Sequence, residues 1–156
     1  MPFHQVALFA CVTACTVYYV KATFGSGIGD AVLEIPMSAT NDSNTLEISY
    51  RISSPKVQLV VLQKKDGNTE VGGVRTYADQ DHFNDWNLFS VSLDSDVEAI
   101  ELVAKKTGVT KNAEYVIVND LVYMYVNETT GNSISSRHYC TINLVYSVYT
   151  AWRYIT

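Results

Sequence analysis

Apolar and polar residues alternate along most of the chain with a period of two residues. Between residues 46 and 52 every second position is apolar, at Leu46, Ile48, Tyr50 and Ile52. This period is typical of strands that place one face on a core and the other in water. Comparable strands are predicted in four further segments: Val57–Leu62, Phe89–Leu93, Ile100–Ala104 and Tyr115–Tyr125.

Turn-forming residues separate these segments at intervals of about 8–12 residues. Ser54-Pro55 ends the first strand, and Asp66-Gly67-Asn68 supplies a turn after the second, because Gly and Asn adopt positive φ at low steric cost. The first two strands are expected to pair as a hairpin. At least six strands and no convincingly capped helix predict an all-β protein built as an antiparallel β-sandwich.

Composition and charge narrow the classes of partner. The chain has 156 residues, of which 47% are hydrophobic and 17% charged, so one domain with a single core is expected. Eleven tyrosines beside many Val, Ile and Thr favour strands. A net charge of −5 without a basic cluster argues against nucleic acid as a partner.

The first 22 residues differ from the rest. Val6–Val20 contains no charge and has the length of a secretory apolar region, and small residues at Val20 and Ala22 suit a cleavage site. Residues 1–22 are therefore predicted to be a signal peptide of an extracellular protein. A buried apolar strand is the alternative. A membrane anchor is disfavoured because a span needs about 20 apolar residues. A bacterial lipid-attachment motif at Val12–Cys15 is disfavoured because no lysine or arginine precedes the apolar run.

The cysteines and sequons follow from this reading. Cys11 and Cys15 lie in the leader, so cleavage leaves Cys140 without an internal partner. An intermolecular disulfide, a free thiol and burial as a small apolar group are the alternatives for Cys140. Asn41 and Asn127 begin N-x-S/T triplets and are predicted N-glycosylation sites.

Residues 127–156 are interpreted as a polar linker and an aromatic C-terminal tail. The tail, Tyr139–Thr156, is expected to be a last strand, a dimerising edge or a removable anchor. Asn143 and Arg153 argue against a stable membrane span.

Five segments also occur in an order that resembles a known family: Ala31–Pro36, Leu46–Ile52, Trp86 with Val91 and Leu93, Ile100–Ala104, and Val116–Leu121. They are similar to the family patterns A-x-L-x-S-P, L-x-F-x-Y-x-M, W-x-x-x-x-V-x-L, F-x-L-x-F-x-A and I-A-I-D-D-I. The family is the MAM domain, an extracellular jelly-roll module of meprins, neuropilins and receptor tyrosine phosphatases. The resemblance implies a jelly-roll sandwich over residues 23–126. Its usual cysteines are missing apart from Cys140, so the chain resembles a truncated or divergent member.

Candidate site residues are few. The resemblance places Asp120, preceded by Asn119, where a cation can be bound or a loop capped, so a structural Ca²⁺ or Na⁺ is the only cofactor considered. The acidic loop Asp79–Asp85 is interpreted as a solvated loop rather than a Ca²⁺ site. Trp86 is predicted to be a core anchor, because a tryptophan buries about 150–250 Å² where a strand begins.

No pattern in the sequence indicates an enzyme, because the histidines lack metal-ligand spacing and the serines lack a G-x-S-x-G context. The resemblance instead implies a secreted or cell-surface adhesion module that contacts another extracellular protein or a second copy of itself. A jelly-roll carbohydrate-binding module is the alternative. It would need exposed aromatic residues on a concave face.

Overall fold

The computed structural model describes the backbone of residues 19–37, 44–125, 136–139 and 153–155, and the side chains of residues 21–37 and 45–119. Its strands are β1 (Tyr19–Phe24), β2 (Gly29–Pro36), β3 (Asn44–Ile52), β4 (Val57–Lys65), β5 (Asn68–Thr76), β6 (Asn87–Leu93), β7 (Ala99–Lys106), β8 (Glu114–Tyr125), β9 (Ser136–Tyr139) and β10 (Arg153–Ile155). A single 3₁₀ turn, Tyr77–Asp79, follows β5 in this part of the chain.

The strands form two antiparallel sheets. Sheet A has the order β1-β8-β3-β6, with β9 also paired to β8, and sheet B has the order β10-β2-β7-β4-β5. The two sheets bury their inner faces against each other, as the alternation requires. The predicted all-β antiparallel sandwich is confirmed.

The core lies between the sheets and is built from alternate residues of both. The apolar positions predicted on β3 are all buried, with Ile48 fully inaccessible, and Phe89 of β6 packs edge-on against Tyr50 at a ring separation of 6.3 Å. From sheet B, Leu59, Val61 and Leu102 complete the same cluster. These side chains fill the space between the two sheets. The alternate residues of each strand therefore point to the outer face of its sheet, where solvent or a ligand can contact them.

The predicted hairpin between the first two strands is wrong. β3 pairs with β6 and β8 in sheet A, whereas β4 pairs with β5 and β7 in sheet B. The Ser54-Pro55 segment carries the chain from one sheet to the other instead of reversing it within one sheet. The true hairpin joins β4 to β5 through Asp66 and Gly67, both at positive φ.

Both ends of the sandwich extend beyond the predicted boundaries of residues 23 and 126. β1 crosses the predicted cleavage position, pairs with β8 along its length and buries Ala22 and Phe24 in the core. In the tail, β9 adds to sheet A and β10 adds to sheet B. β1 begins at Tyr19, and the rest of the apolar run, residues 6–18, lies outside the described residues.

A bulge in β5 brings backbone close to the core. The pairing of β4 with β5 shifts between Val61 and Leu62, so that Gly72 is an extra residue on β5. The next residue, Gly73, faces the Phe89 ring, and a Cβ atom there would lie 2.5 Å from Phe89 Cζ. Only glycine fits this position without moving the ring.

Within the described residues, no helix is long and apolar enough to cross a membrane.

Candidate functional site

The outer face of sheet A collects aromatic, cationic and amide side chains in adjacent rows. Lys21 of β1 pairs with Ile117 of β8, which pairs in turn with Arg51 of β3. The Trp86 ring lies beside Arg51, with its centroid 6.0 Å from the guanidinium carbon. We call this surface the aromatic face; its members are Lys21, Ser49, Arg51, Trp86, Tyr115, Ile117 and Asn119.

The two rings of the aromatic face stand at separate positions. Tyr115 lies one outward position before Ile117 on β8, and Trp86 lies beyond β3, directly before β6. Two strand spacings and two residues along the strand put the backbones of Trp86 and Tyr115 roughly 12 Å apart. Both residues are half-buried, so part of each remains accessible to a ligand.

The loop that carries Trp86, residues 77–86, is fastened by two buried amides. The Gln80 side-chain amide accepts from Ile52 N at 2.8 Å and donates to Ile52 O at 3.0 Å. The pairing of β3 with β6 ends at Tyr50, so the Gln80 amide supplies the hydrogen bonds that a β6 residue would otherwise make to Ile52. Asn87 accepts from His82 N and donates to His82 O and Asp85 O. Gln80 therefore holds the first part of the loop against β3, and Asn87 holds the part that leads into Trp86.

The backbone of Trp86 is fixed as well. Its N–H donates to Asp85 Oδ1 at 2.8 Å. At the other ring, Ser53 Oγ accepts from Tyr115 N at 2.8 Å and donates to Glu114 Oε2 at 2.7 Å. Hydrogen bonds of this kind hold the two ring-bearing segments in one place, which lowers the entropy that a ligand must overcome on binding.

Each cation of the aromatic face lies over a ring. Lys21 Nζ is 4.5 Å from the Tyr115 centroid, and the Arg51 guanidinium lies beside Trp86. Such cation–π contacts contribute about 0.5–1 kcal/mol at exposed sites. Arg51 Nε is buried and has no hydrogen-bond partner among the described residues.

Ionisable groups behind the loop are tuned by their surroundings. Burial raises the pKa of the Tyr50 phenol; the positive charge of Arg75 opposes this, and the carboxylates of Asp79 and Asp81 add to it. Two hydrogen bonds from Thr76, donated by its N–H and its hydroxyl, hold the pKa of Asp79 below its ordinary value. Asp79 thus stabilises the start of the loop through its hydrogen bonds with Thr76.

The outer face of sheet B is different in character. Lys64 pairs with Glu101 at 2.7 Å and Glu34 at 2.9 Å, and these hydrogen bonds raise the pKa of Lys64. Val71 and Val74 of the outermost strand β5 are 65% and 39% exposed. The outer face of sheet B therefore has paired charges at its centre and exposed valines along β5.

A fully buried lysine has a structural role. Lys106 Nζ donates to Gly25 O and to Thr110 Oγ1, the latter at 2.8 Å. It thereby joins the β1–β2 connection to the loop after β7. Its hydrogen bonds are directed at the protein itself, so nothing about it points to a ligand.

The structure moves Trp86 out of the predicted core. Trp86 is half-buried, is not a member of the core cluster, and shares the outward parity of Leu88, which is 64% exposed. The inward positions of this segment belong to Asn87 and Phe89 instead. A core-anchor role for Trp86 is wrong because the strand pleat turns its ring toward Arg51 on the outer face.

The remaining predicted residues divide into two groups. Asn119 lies on the aromatic face, paired in register with Ser49, whereas for Asp120 only the backbone is described, at an irregularity in the β3–β8 pairing. Over residues 21–37 and 45–119, no group of three or more His, Cys, Asp or Glu side chains could hold a metal ion. Asn41, Asn127 and Cys140 lie outside the described residues.

Sequence reasoning missed Lys21, Arg51 and Tyr115 as site residues. A usable signal existed for two of them, since Arg51 alternates with Tyr50 and Ile52, and Tyr115 alternates with Val116. Their parity puts both on the face away from the core. Lys21 gave no such signal because it fell inside the predicted leader.

No protein-family model matches the chain. The search of curated proteins also found no match.

Solved structures similar to the chain were found, and the three described here each share 11% sequence identity with it. One described as "CBM4 structure and function" has 11% identity and a TM-score of 0.45, covering 69% of this chain and 83% of the other. A "Family 16 Carbohydrate Binding Module-2" has 11% identity and a TM-score of 0.46, covering 77% and 85%. A "xylan-binding module CBM15" has 11% identity and a TM-score of 0.42, covering 75% and 97%.

Proposed function

We propose that the protein is a non-enzymatic carbohydrate-binding module and that the aromatic face is its binding surface. The arrangement of Trp86 and Tyr115 on one outer sheet face, with Arg51 between them and Lys21 beyond Tyr115 on β1, is the observation that carries this proposal.

The chemistry of sugars matches such a surface. A pyranose ring has an apolar C–H face, which packs on an aromatic side chain, and a rim of hydroxyl groups, which need donors and acceptors. Trp86 and Tyr115 offer two apolar platforms, and the half-buried Ser49 and Arg51 bring polar groups to the surface near them. The spacing of the two residues across the sheet suits a chain of sugars better than one monosaccharide.

The test is glycan binding by the full chain and by single variants of the two rings. Trp86→Ala and Tyr115→Ala should each weaken binding at least about tenfold, because buried aromatic anchors commonly supply 2 kcal/mol or more at binding surfaces. Val71→Ala, on the outer face of sheet B, is the control and should leave binding unchanged. Retained affinity in both ring variants would remove the aromatic face as the binding site.

The stability of Trp86→Ala separates this role from a core role. With the ring outside the core, its truncation should cost well under the ~3–5 kcal/mol typical of a core tryptophan. A full core penalty in urea unfolding would contradict the position described above.

Contact with another protein is the second candidate, favoured by the exposed Val71 and Val74 on β5. β5 is the last strand of sheet B in the described part of the chain, and such edges recruit strands of other chains. The partner proposed here is a second copy of the chain. Light scattering tests it: a dimer that Val71→Lys converts to monomer supports this function, and a monomer at all concentrations rejects it.

We also propose an extracellular location, as the apolar leader and the sequons at Asn41 and Asn127 predict. Mass spectrometry of the protein secreted from a eukaryotic host would report the cleaved terminus and glycan masses together. Retention of the whole chain inside the cell, without sugar, would overturn this proposal.

A further inference from the structure

Two cations of the aromatic face, Lys21 and Arg51, form no ion pair with an acid whose side chain the structure describes. The ion pairs among the described residues involve Lys64 and Lys65, and within that part of the chain none reaches Lys21 or Arg51. Two acids of this side of the sandwich accept hydrogen bonds from other groups: Glu47 of β3 accepts from Ser90 Oγ, and Asp85 accepts from Trp86 N.

Packing rather than ion pairing holds these cations in position. Lys21 Nζ lies over Tyr115 and the Arg51 guanidinium lies beside Trp86. Arg51 Nε is buried without an acceptor in the described residues, and a buried unsatisfied donor costs free energy. The charge of Arg51 is therefore neutralised by no carboxylate among the described residues, and its half-buried side chain reaches the surface beside the Trp86 ring.

The positions of the two charges define a spacing. Lys21 on β1 and Arg51 on β3 both pair with Ile117 on the intervening β8, so they lie in one row across the sheet. Two strand spacings separate their backbones by about 10 Å. A polymer lying across the strands would meet Trp86, Arg51 and Lys21 in succession.

We infer, on the basis of the proposed carbohydrate-binding function, that the ligand of the aromatic face is an anionic glycan, with acidic groups that pair with Arg51 and Lys21. A guanidinium binds a carboxylate or a sulfate through charge-assisted hydrogen bonds, and the lysine supplies a point charge for a second group. Uronic-acid and sulfated sugars both present this chemistry.

The net charge of the chain makes selectivity depend on these two residues. At −5 overall, the protein repels a polyanion at long range, so attraction must come from local pairing on the aromatic face. Binding of an acidic glycan should therefore weaken with added salt, because the partly exposed pairs are screened.

The experiment compares matched polymers by isothermal titration calorimetry with the full chain. The probes are polygalacturonate, its fully methyl-esterified form, dextran sulfate and neutral xylan. At least about tenfold tighter binding of polygalacturonate than of its ester supports a carboxylate ligand, and preference for dextran sulfate alone supports a sulfated one. Equal binding of polygalacturonate and its ester, without preference for sulfate, overturns the inference but leaves the proposed function standing. Binding of none of the four overturns both.

Variants connect the preference to the two cations. Arg51→Met and Lys21→Met should each reduce binding of the preferred acidic polymer about tenfold or more, while affinity for its neutral counterpart changes little. Lys105→Met removes an exposed cation from sheet B and serves as the control. Undiminished acidic binding in both face variants overturns the assignment, as does an equal loss in the control. Circular dichroism of each variant confirms folding, and Lys21→Met provides the result if Arg51→Met does not fold.

Discussion

Gln80 is the residue whose removal gives the most informative loss of stability. Its amide accepts from Ile52 N at 2.8 Å and donates to Ile52 O at 3.0 Å, and Ile52 is only 1% exposed. In Gln80→Ala both backbone groups of Ile52 lose their partner on that side. Each unpaired buried group costs about 1–3 kcal/mol, and water admitted by the shorter side chain recovers part of it, so a loss of about 2–4 kcal/mol is expected.

Urea unfolding followed by circular dichroism measures this loss directly. For a chain of this size, each kcal/mol lowers the melting temperature by about 3 °C, so a decrease of about 6–12 °C should accompany it. Gln58→Ala is the matched control, since Gln58 on β4 is half-buried and has no side-chain hydrogen bond in the described structure; it should change stability by less than about 0.5 kcal/mol. If the two variants are equally stable, Gln80 does not replace a strand partner of Ile52.

Three further outcomes follow from other parts of the fold. Gly73→Ala should destabilise the protein by about 1–3 kcal/mol in urea, because the new methyl group meets Phe89, whereas Gly27→Ala, with open space around it, should be nearly neutral; equal effects would contradict the close contact. Asp79 has a lowered pKa, so its contribution to stability is complete above its ordinary value of 3.8 and disappears as pH falls below it; Asp79→Asn should lose less stability than the parent between neutral pH and pH 3, and parallel curves would refute this. If a leader is removed, the mature terminus should lie at or before Tyr19, which N-terminal sequencing checks; a functional protein starting after β1 would count against the sheet order.

The strand pattern was predictable because it is local. β6 alternates buried Phe89, Val91 and Leu93 with exposed serines, as the sequence indicates. The pairing partners were not predictable, because they depend on which sheet each strand joins. The four residues after Ile52 read equally well as a reversal within one sheet or as a crossing to the other.

The candidate site was hidden for two physical reasons. Trp86 was assigned to the core by its size, although its parity with Leu88 and Ser90 places it outside. Lys21 directly follows the uncharged run Val6–Val20 and falls within the predicted leader, so the sequence gives it no place in a sheet. Lys21, Ile117 and Arg51 become neighbours only through the register of three strands that are distant in sequence. No local sequence pattern indicates that register.

The pairing of β1 with β8 also has a consequence for biosynthesis. Lys21 leaves the ribosome before its neighbours Tyr115 and Ile117, which follow much later in the chain. In the nascent chain β1 stays unpaired until β8 has been made, since contacts between distant segments form slowly. Chaperones that shield exposed strands during synthesis should therefore raise the yield of soluble protein, most strongly when translation is slow.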